Sequence, residues 1–200
     1  MQLHLCLVSA ACAACPPSGF DTTVSGFDIK QYASARWFTQ QQMEVTYLPK
    51  DQNHCVYADY TVKDKKSTLG YDVGVHNHAE EASGKVHEAD ICAKIVDGAA
   101  GKLEVAPCFL PTALSGPYWI VSYDESEGYA LVSGGPPTKD GTDGCKTGSG
   151  VNGSGLWIFT RKQERDEALV EKVRGIAKDL GFDLSVLNDV DQSQCSMVAV

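Results

Sequence analysis

The sequence has no apolar run of the roughly 18–20 residues that a membrane-spanning helix needs, so no helical membrane span is expected. Basic residues are few: Lys and Arg number 17 against 26 Asp and Glu, for a formal net charge of −9. With no basic stripe to displace counterions from phosphates, a nucleic-acid partner is excluded, and acidity of this size chiefly favours solubility. Zinc-ribbon and thioredoxin-like cysteine pairs are missing too, because the one close pair, Cys12 and Cys15, lies in an Ala-rich N-terminal stretch. His76-Asn77-His78 places two imidazoles on one strand face, but zinc sites want three or four ligands. With no third ligand at short spacing the segment reads as a solvated turn, and neither a metal nor an organic cofactor is expected.

What is present suits one globular domain: 200 residues, 43% hydrophobic and 22% charged. Eight cysteines point to disulfides in an oxidising compartment, secreted or lumenal, with the thylakoid lumen included for a photosynthetic source. Met1 to Ala14 is apolar and rich in small residues, and it ends before Cys15-Pro16-Pro17 as a signal h-region and cleavage site would, although it lacks a basic n-region. Residues 1–14 are therefore read as a presequence remnant and 15–200 as a single domain.

From Arg36 onward the apolar pattern has period two, broken at regular intervals by turn residues, which predicts an antiparallel sheet closing on itself. Expected strands cover 36–47, 55–63, 69–75, 85–96, 102–108, 117–123, 129–134 and 156–161. Three successive strands alternate cleanly, so one face is buried and the other wet. The hairpin 117–134 is apolar on both faces and needs a cover. The helix expected over 163–180 supplies it with a stripe of Leu169, Val173, Ile176 and Leu180, and Gly181 stands at its end. Residues 135–155, rich in Gly, Pro, Ser and Thr, read as a long loop of the kind that is functional or disordered. Eight strands and one external helix predict an all-β, eight-stranded, antiparallel up-and-down barrel, wide enough for one small ligand.

Parity assigns Val56, Ala58, Tyr60, Leu69, Tyr71, Val73, Ala89, Ile91, Leu103 and Val105 to the barrel interior, as an apolar ligand pocket with a few phenolic handles. Asp59, Asp72, Glu88, Asp90 and Glu104 fall on the outward parity. Cys92 and Cys108 are both outward on neighbouring strands, eight residues either side of Ala100, and are expected to bond across them.

Phe27-Asp28, Tyr32 and Ala35-Arg36-Trp37-Phe38, then Tyr118-Trp119-Ile120-Val121 with Tyr123-Asp124 and Tyr129-Ala130-Leu131-Val132, then Leu156-Trp157-Ile158-Phe159-Thr160-Arg161 resemble, in order and spacing, the lipocalin family over roughly 26–195. Lys102-Leu103-Glu104-Val105 and Asp191-Gln192-Ser193-Gln194-Cys195 are similar to the apolipoprotein D and bacterial lipocalin group. Ala35 departs from the family's glycine. The resemblance implies that Arg161 packs across the Trp37 indole at the closed end, that Cys55 pairs with Cys195 and Cys15 with Cys145, and that 135–155 lies at the open mouth, where it would act as a lid. Cys6 and Cys12 are left over.

Carriage or sequestration of a small hydrophobic molecule follows, such as a fatty acid, retinoid, sterol or carotenoid. Burying about 300 Å² of apolar ligand at ~25 cal/mol per Å² is worth roughly 7 kcal/mol before entropic costs, enough for micromolar affinity. An enzyme on the same barrel, resembling violaxanthin de-epoxidase or the prostaglandin-synthesising lipocalin, would need an inward acid or a free inward thiol, and the inward set holds neither. A scaffold subunit bound to a larger assembly through its mouth loops is the third reading, with Trp119 and Trp157 as its indicators: exposed they suggest a partner, under the helix they are core. Asn152-Gly153-Ser154 is a glycosylation sequon in the loop.

Overall fold

Alternating apolar residues with turn chemistry at the predicted intervals fold into eleven strands, here in a computed structural model that describes residues 14–22, 24 and 26–195. The expected presequence remnant, with Cys6 and Cys12, lies outside the described residues apart from Ala14. In chain order the elements are α1 (Ile29–Tyr32), β1 (Trp37–Met43), β2 (His54–Val62), β3 (Val73–Glu80), β4 (Val86–Asp97), β5 (Lys102–Pro107), β6 (Gly116–Asp124), β7 (Tyr129–Ser133), the two-residue ladder β8 (Lys139–Asp140) and β9 (Cys145–Lys146), β10 (Leu156–Thr160), α2 (Glu167–Asp179) and β11 (Leu187–Asp189). Strands β1 to β7 and β10 pair antiparallel with their neighbours, and β10 pairs back onto β1, closing an eight-stranded barrel with β11 outside it.

Strand β1 pairs with β2 only at Trp37–Ala58 and Phe38–Tyr57. Beyond that point the two strands part, and the C-terminal tail fills the gap. Asp189, Asn188 and Leu187 stand opposite Gln41, Gln42 and Met43, the Cys55 N–H donates to the Asp191 carbonyl at 2.8 Å, and Gln192 Nε2 donates to the carbonyls of both Thr39 and Val56 at 2.8 Å. Backbone groups that would otherwise be orphaned in the seam are thereby satisfied.

Both faces of β6, β7 and β10 are covered, as their composition requires. Ile120, Ala130, Val132, Trp157 and Phe159 face the barrel interior, while Val121, Leu131, Leu156 and Ile158 lie in the cluster with Val173, Ala177 and Phe182. Helix α2 begins at Glu167, four residues after the expected start, because Asp166 caps it by accepting from the Leu169 N–H. Its buried centre is Val170, Val173 and Ala177, with Leu169, Ile176 and Leu180 partly buried beside them. The third strand starts at Val73 rather than Leu69. Ser67 to Tyr71 closes a turn instead, with Gly70 at φ 91° donating to the Ser67 carbonyl, a conformation in which strand pairing cannot begin.

Candidate functional site in the barrel

The closed end is built from α1 upward. Asp28 caps this single turn by accepting from the Lys30 N–H, and Tyr32, at its end, drops its ring against Trp37 with centroids 5.2 Å apart. Trp37 is fully buried, and its indole N–H donates to the Tyr32 carbonyl at 2.9 Å. The Arg161 guanidinium lies 3.6 Å from the Trp37 ring centroid. It also donates to the carbonyls of Gln31 and Tyr32 at 3.1 and 3.0 Å and to that of Ala35, and it pairs with Glu125 at 2.9 Å. Ala35 has no positive φ, so its methyl group is accommodated in ordinary backbone geometry. Gly128 is required by this closure: it sits at φ 75°, and a Cβ there would come within 3.2 Å of Arg161.

Of the ten residues assigned inward by parity, Ala58, Tyr60, Val73, Ile91, Leu103 and Val105 line the interior. Three of the other four do not. Val56 packs against Ala79 and the tail residue Val190, because β2 is irregular between His54 and Tyr57, with Cys55 at φ 52°. Tyr71 is fully buried on the outer face with Cys92, Ala106 and Leu110, and its hydroxyl donates to the Leu110 carbonyl at 2.8 Å. Leu69 is exposed. Ala89 keeps its inward parity, paired with Asn77, which stands opposite the interior Ala58, but at an exposed position near the rim.

Sequence parity missed Tyr32, Tyr118 and Trp157, which carry the interior's character. The Tyr118 hydroxyl stands 3.0 Å from that of Tyr32 and 2.6 Å from that of Tyr60, and the Tyr118 ring is 6.2 Å from Trp157. Burial pushes the Tyr60 phenol up to about 12 and those of Tyr32 and Tyr118 well above their ordinary value, so all three stay neutral donors. The three hydroxyls thus satisfy one another, with that of Tyr118 at the centre of the cluster. Tyr118 and Trp157 were legible as aromatic strand residues, but on strands apolar on both faces only the position of α2 separates inside from outside.

Carboxylates are kept on the outer wall. Asp59 pairs with Arg36 at 2.7 Å, Asp72 with Lys66 at 3.2 Å, Asp90 with His76 at 2.8 Å and Glu104 with Lys94 at 3.9 Å. Two concavities, of about 560 and 320 Å³, flank α1 at the closed end; the larger reaches Tyr60 between Ala33 and Val62, the smaller runs along Phe27, Tyr123 and Glu125. Toward the mouth, Ile91, Val105 and Tyr118 are only half-buried.

The loop 135–155 is fastened on both sides rather than hanging free. Ser149 O accepts from the Thr46 N–H at 3.0 Å, the Tyr47 hydroxyl donates to Ser154 O at 3.2 Å, and Asn152 Nδ2 donates to Leu114 O at 3.3 Å. The loop thus covers the rim from β6 round to β1. Two disulfides hold the ends of the chain, Cys15–Cys145 and Cys55–Cys195, and a third, Cys92–Cys108, joins β4 to the segment after β5, with Cα separations of 5.6, 5.4 and 4.9 Å. Cys92 stands opposite Ala106 in the ladder, so Cys108 reaches it diagonally from just past β5. Trp119 is covered by the N-terminal segment, its ring stacked on Phe20 with centroids 6.5 Å apart, and Trp157 is inside the barrel. Neither lies under the helix or forms an exposed patch.

The fold recurs in solved structures. Lipocalin 12 from rat epididymis superposes with a TM-score of 0.61 at 12% identity, over 90% of this chain and 94% of that one. The chain has the lipocalin fold. Insecticyanin from the tobacco hornworm Manduca sexta matches with a TM-score of 0.60 at 17% identity, over 91% and 88% of the two chains. Lobster apocrustacyanin A1 matches with 0.58 at 15%, over 84% and 81%. No family model and no curated protein sequence matches the chain. At these identities the likeness is one of fold.

Proposed function

We propose that this lipocalin-fold protein binds a small hydrophobic molecule in the mouth-side half of the barrel and carries or sequesters it. The observation that carries the reading is the interior's polar equipment: a largely apolar wall in which the neutral hydroxyls of Tyr32, Tyr60 and Tyr118 cluster, with Thr39, Gln42 and Asn77 as further polar side chains on the inner face. Such a wall favours a largely apolar body with few polar groups, such as a fatty acid, retinoid, sterol or carotenoid. Half-buried Ile91, Val105 and Tyr118 form its outer part, and Tyr118 must turn aside for a ligand to reach the other two phenols. The resemblance of the closed-end and tail motifs to the apolipoprotein D and bacterial group agrees with this.

Enzymatic use of the barrel is disfavoured. Asp59, Asp72, Asp90 and Glu104 are paired on the outer wall, and Cys55, Cys92 and Cys108 are in disulfides, so an interior proton donor for epoxide opening and an interior thiol nucleophile are both missing among these residues. Three disulfides fit an oxidising compartment, and we place the protein in the secretory route on that ground. A second reading, docking to a partner through the mouth, has one observation in its favour: Tyr47, Val86, Phe109, Leu114 and Val151 are exposed apolar residues on segments at the open end.

Native mass spectrometry with lipid extraction of protein purified from its source tests the function directly. A single apolar molecule per chain is expected, whose affinity falls several-fold in Tyr118→Phe through loss of the hydroxyl at the centre of the phenol cluster. An empty barrel that also fails to take up fatty acid, retinol and carotenoid at about 10 μM would refute it.

A further inference from the structure

Strand β1 carries one interior side chain whose hydrogen bonding the fold leaves incomplete. Gln42 stands directly opposite Trp157 on β10. Residues opposite one another in an antiparallel pair share a face, so Gln42 points inward with Trp157, which belongs to the interior cluster. It lies five residues beyond Trp37, at the mouth end of β1, and is 1% exposed. Its Nε2 donates to Asn53 Oδ1 at 2.7 Å, and its Oε1 is buried with no hydrogen-bond partner among the described residues.

Which end of the Gln42 amide is left over is decided in the seam between β1 and β2. There Asn53 Nδ2 donates to the Asp189 carbonyl at 3.3 Å. A backbone carbonyl only accepts, so Asn53 turns its amide nitrogen toward Asp189 and its oxygen toward Gln42. Gln42 in turn gives its nitrogen to Asn53, and reversing either amide would set two oxygens against each other. The relay therefore fixes an oxygen acceptor as the group that Gln42 holds ready. Buried polar groups are nearly always paired, and one left unmade costs its desolvation. Gln40 Oε1 is also unpartnered among the described residues, but that side chain lies on the outer face, where its Nε2 donates to Thr160 Oγ1 at 2.8 Å.

We propose that Gln42 Oε1 is the polar anchor for the barrel's cargo, and that the cargo is an apolar molecule ending in a hydroxyl, such as retinol, a sterol or a hydroxylated carotenoid, rather than a carboxylic acid. The inference rests on the reading of the barrel as a carrier and narrows it. A ligand O–H completes the acceptor, whereas an ether oxygen has no hydrogen to give. An ionised carboxylate would set oxygen against oxygen, and no Lys or Arg is among the residues placed on the inner face to balance its charge. With the hydroxyl held at the mouth end of β1, the apolar body runs inward past Trp157 toward Tyr118, whose ring is 6.2 Å from that indole and turns aside to admit it.

Matched ligands that differ only at the polar end test this: retinol against its methyl ether and retinoic acid, and decan-1-ol against its methyl ether and decanoate. Each is titrated at neutral pH into the disulfide-intact chain and followed by tryptophan fluorescence. Each alcohol should bind about tenfold more tightly than its ether and its acid. In Gln42→Met, which keeps the length of the side chain without the amide, the preference over the ether should shrink to about twofold or less while the ether binds about as before. Asn53→Ala leaves Gln42 in place but frees its nitrogen, so the amide can reverse and offer an N–H, and the ether should gain on the alcohol. A purely structural role for Asn53 would move all the ligands alike. Equal binding of alcohol and ether by the wild type leaves Oε1 to an ordered water, so that carriage stands and the proposal falls. It falls equally if the preference for the alcohol survives in Gln42→Met. If none of these ligands binds, carriage fails and the proposal fails with it.

Discussion

Arg161→Ala is the most direct test of how the closed end is held. The guanidinium is 13% exposed in its pairing with Glu125, covers the Trp37 ring at 3.6 Å and donates to backbone carbonyls on both α1 and the segment that follows it. A partly desolvated cation–π contact is worth about 1–2 kcal/mol, and hydrogen bonds from a charged donor about 1.5 kcal/mol or more each, net of hydration. Because the contacts share one side chain they do not add fully, and a loss of roughly 3–5 kcal/mol is expected. In a 200-residue chain that corresponds to about 10 °C in Tm, at ~2–4 °C per kcal/mol. Denaturant unfolding followed by tryptophan fluorescence, without reductant, measures it. Arg161→Lys should lose about half as much, since it keeps the charge and forfeits the planar fork. A double-mutant cycle with Trp37→Leu should return a coupling of about 1 kcal/mol. If Arg161→Ala unfolds within ~0.5 kcal/mol of the wild type, the closed end is held by α1 packing alone and the reasoning fails.

Two further outcomes follow from the interior and the tail. Because the neutral forms of Tyr32, Tyr60 and Tyr118 are favoured by burial, with Tyr60 pushed up to about 12, their contribution to stability is complete below pH ~10 and is lost as pH rises from there through about 12. Absorbance at 295 nm should therefore show part of the tyrosine titration delayed until the barrel unfolds, and phenolates forming near pH 10 in an intact fold would contradict this. The Cys55–Cys195 disulfide closes a loop of 140 residues, so Cys195→Ala should cost about 2–5 kcal/mol and expose the seam between β1 and β2 to amide exchange. Unchanged protection of the Cys55 and Val190 amides would show that the tail's hydrogen bonds hold it without the covalent tie.

The sequence by itself determined the barrel, its strand count, its external helix and its closure. Period-two alternation sets which face of a strand is wet, and the aromatic blocks around Trp37, Tyr118 and Trp157, in their order and spacing, resembled a known barrel family closely enough to pair Arg161 with Trp37 and to assign two of the three disulfides. Parity of two outward cysteines supplied the third. Parity failed wherever the backbone left regular geometry: at the Ser67–Tyr71 turn, which carried Leu69 and Tyr71 out of the interior set, and at the irregularity around Cys55, which sent Val56 toward the tail. It was also silent on strands apolar on both faces, where only the seat of α2 decides that Trp157 faces in and Ile158 out. Apart from the Cys92–Cys108 and Arg161–Trp37 pairs, what meets across strands could come only from the tertiary structure, because register has no signature in a single strand. The three phenols meet from α1, β2 and β6, and Glu88 reaches His76 and His78 from the neighbouring strand. The site within the barrel is made by that pairing.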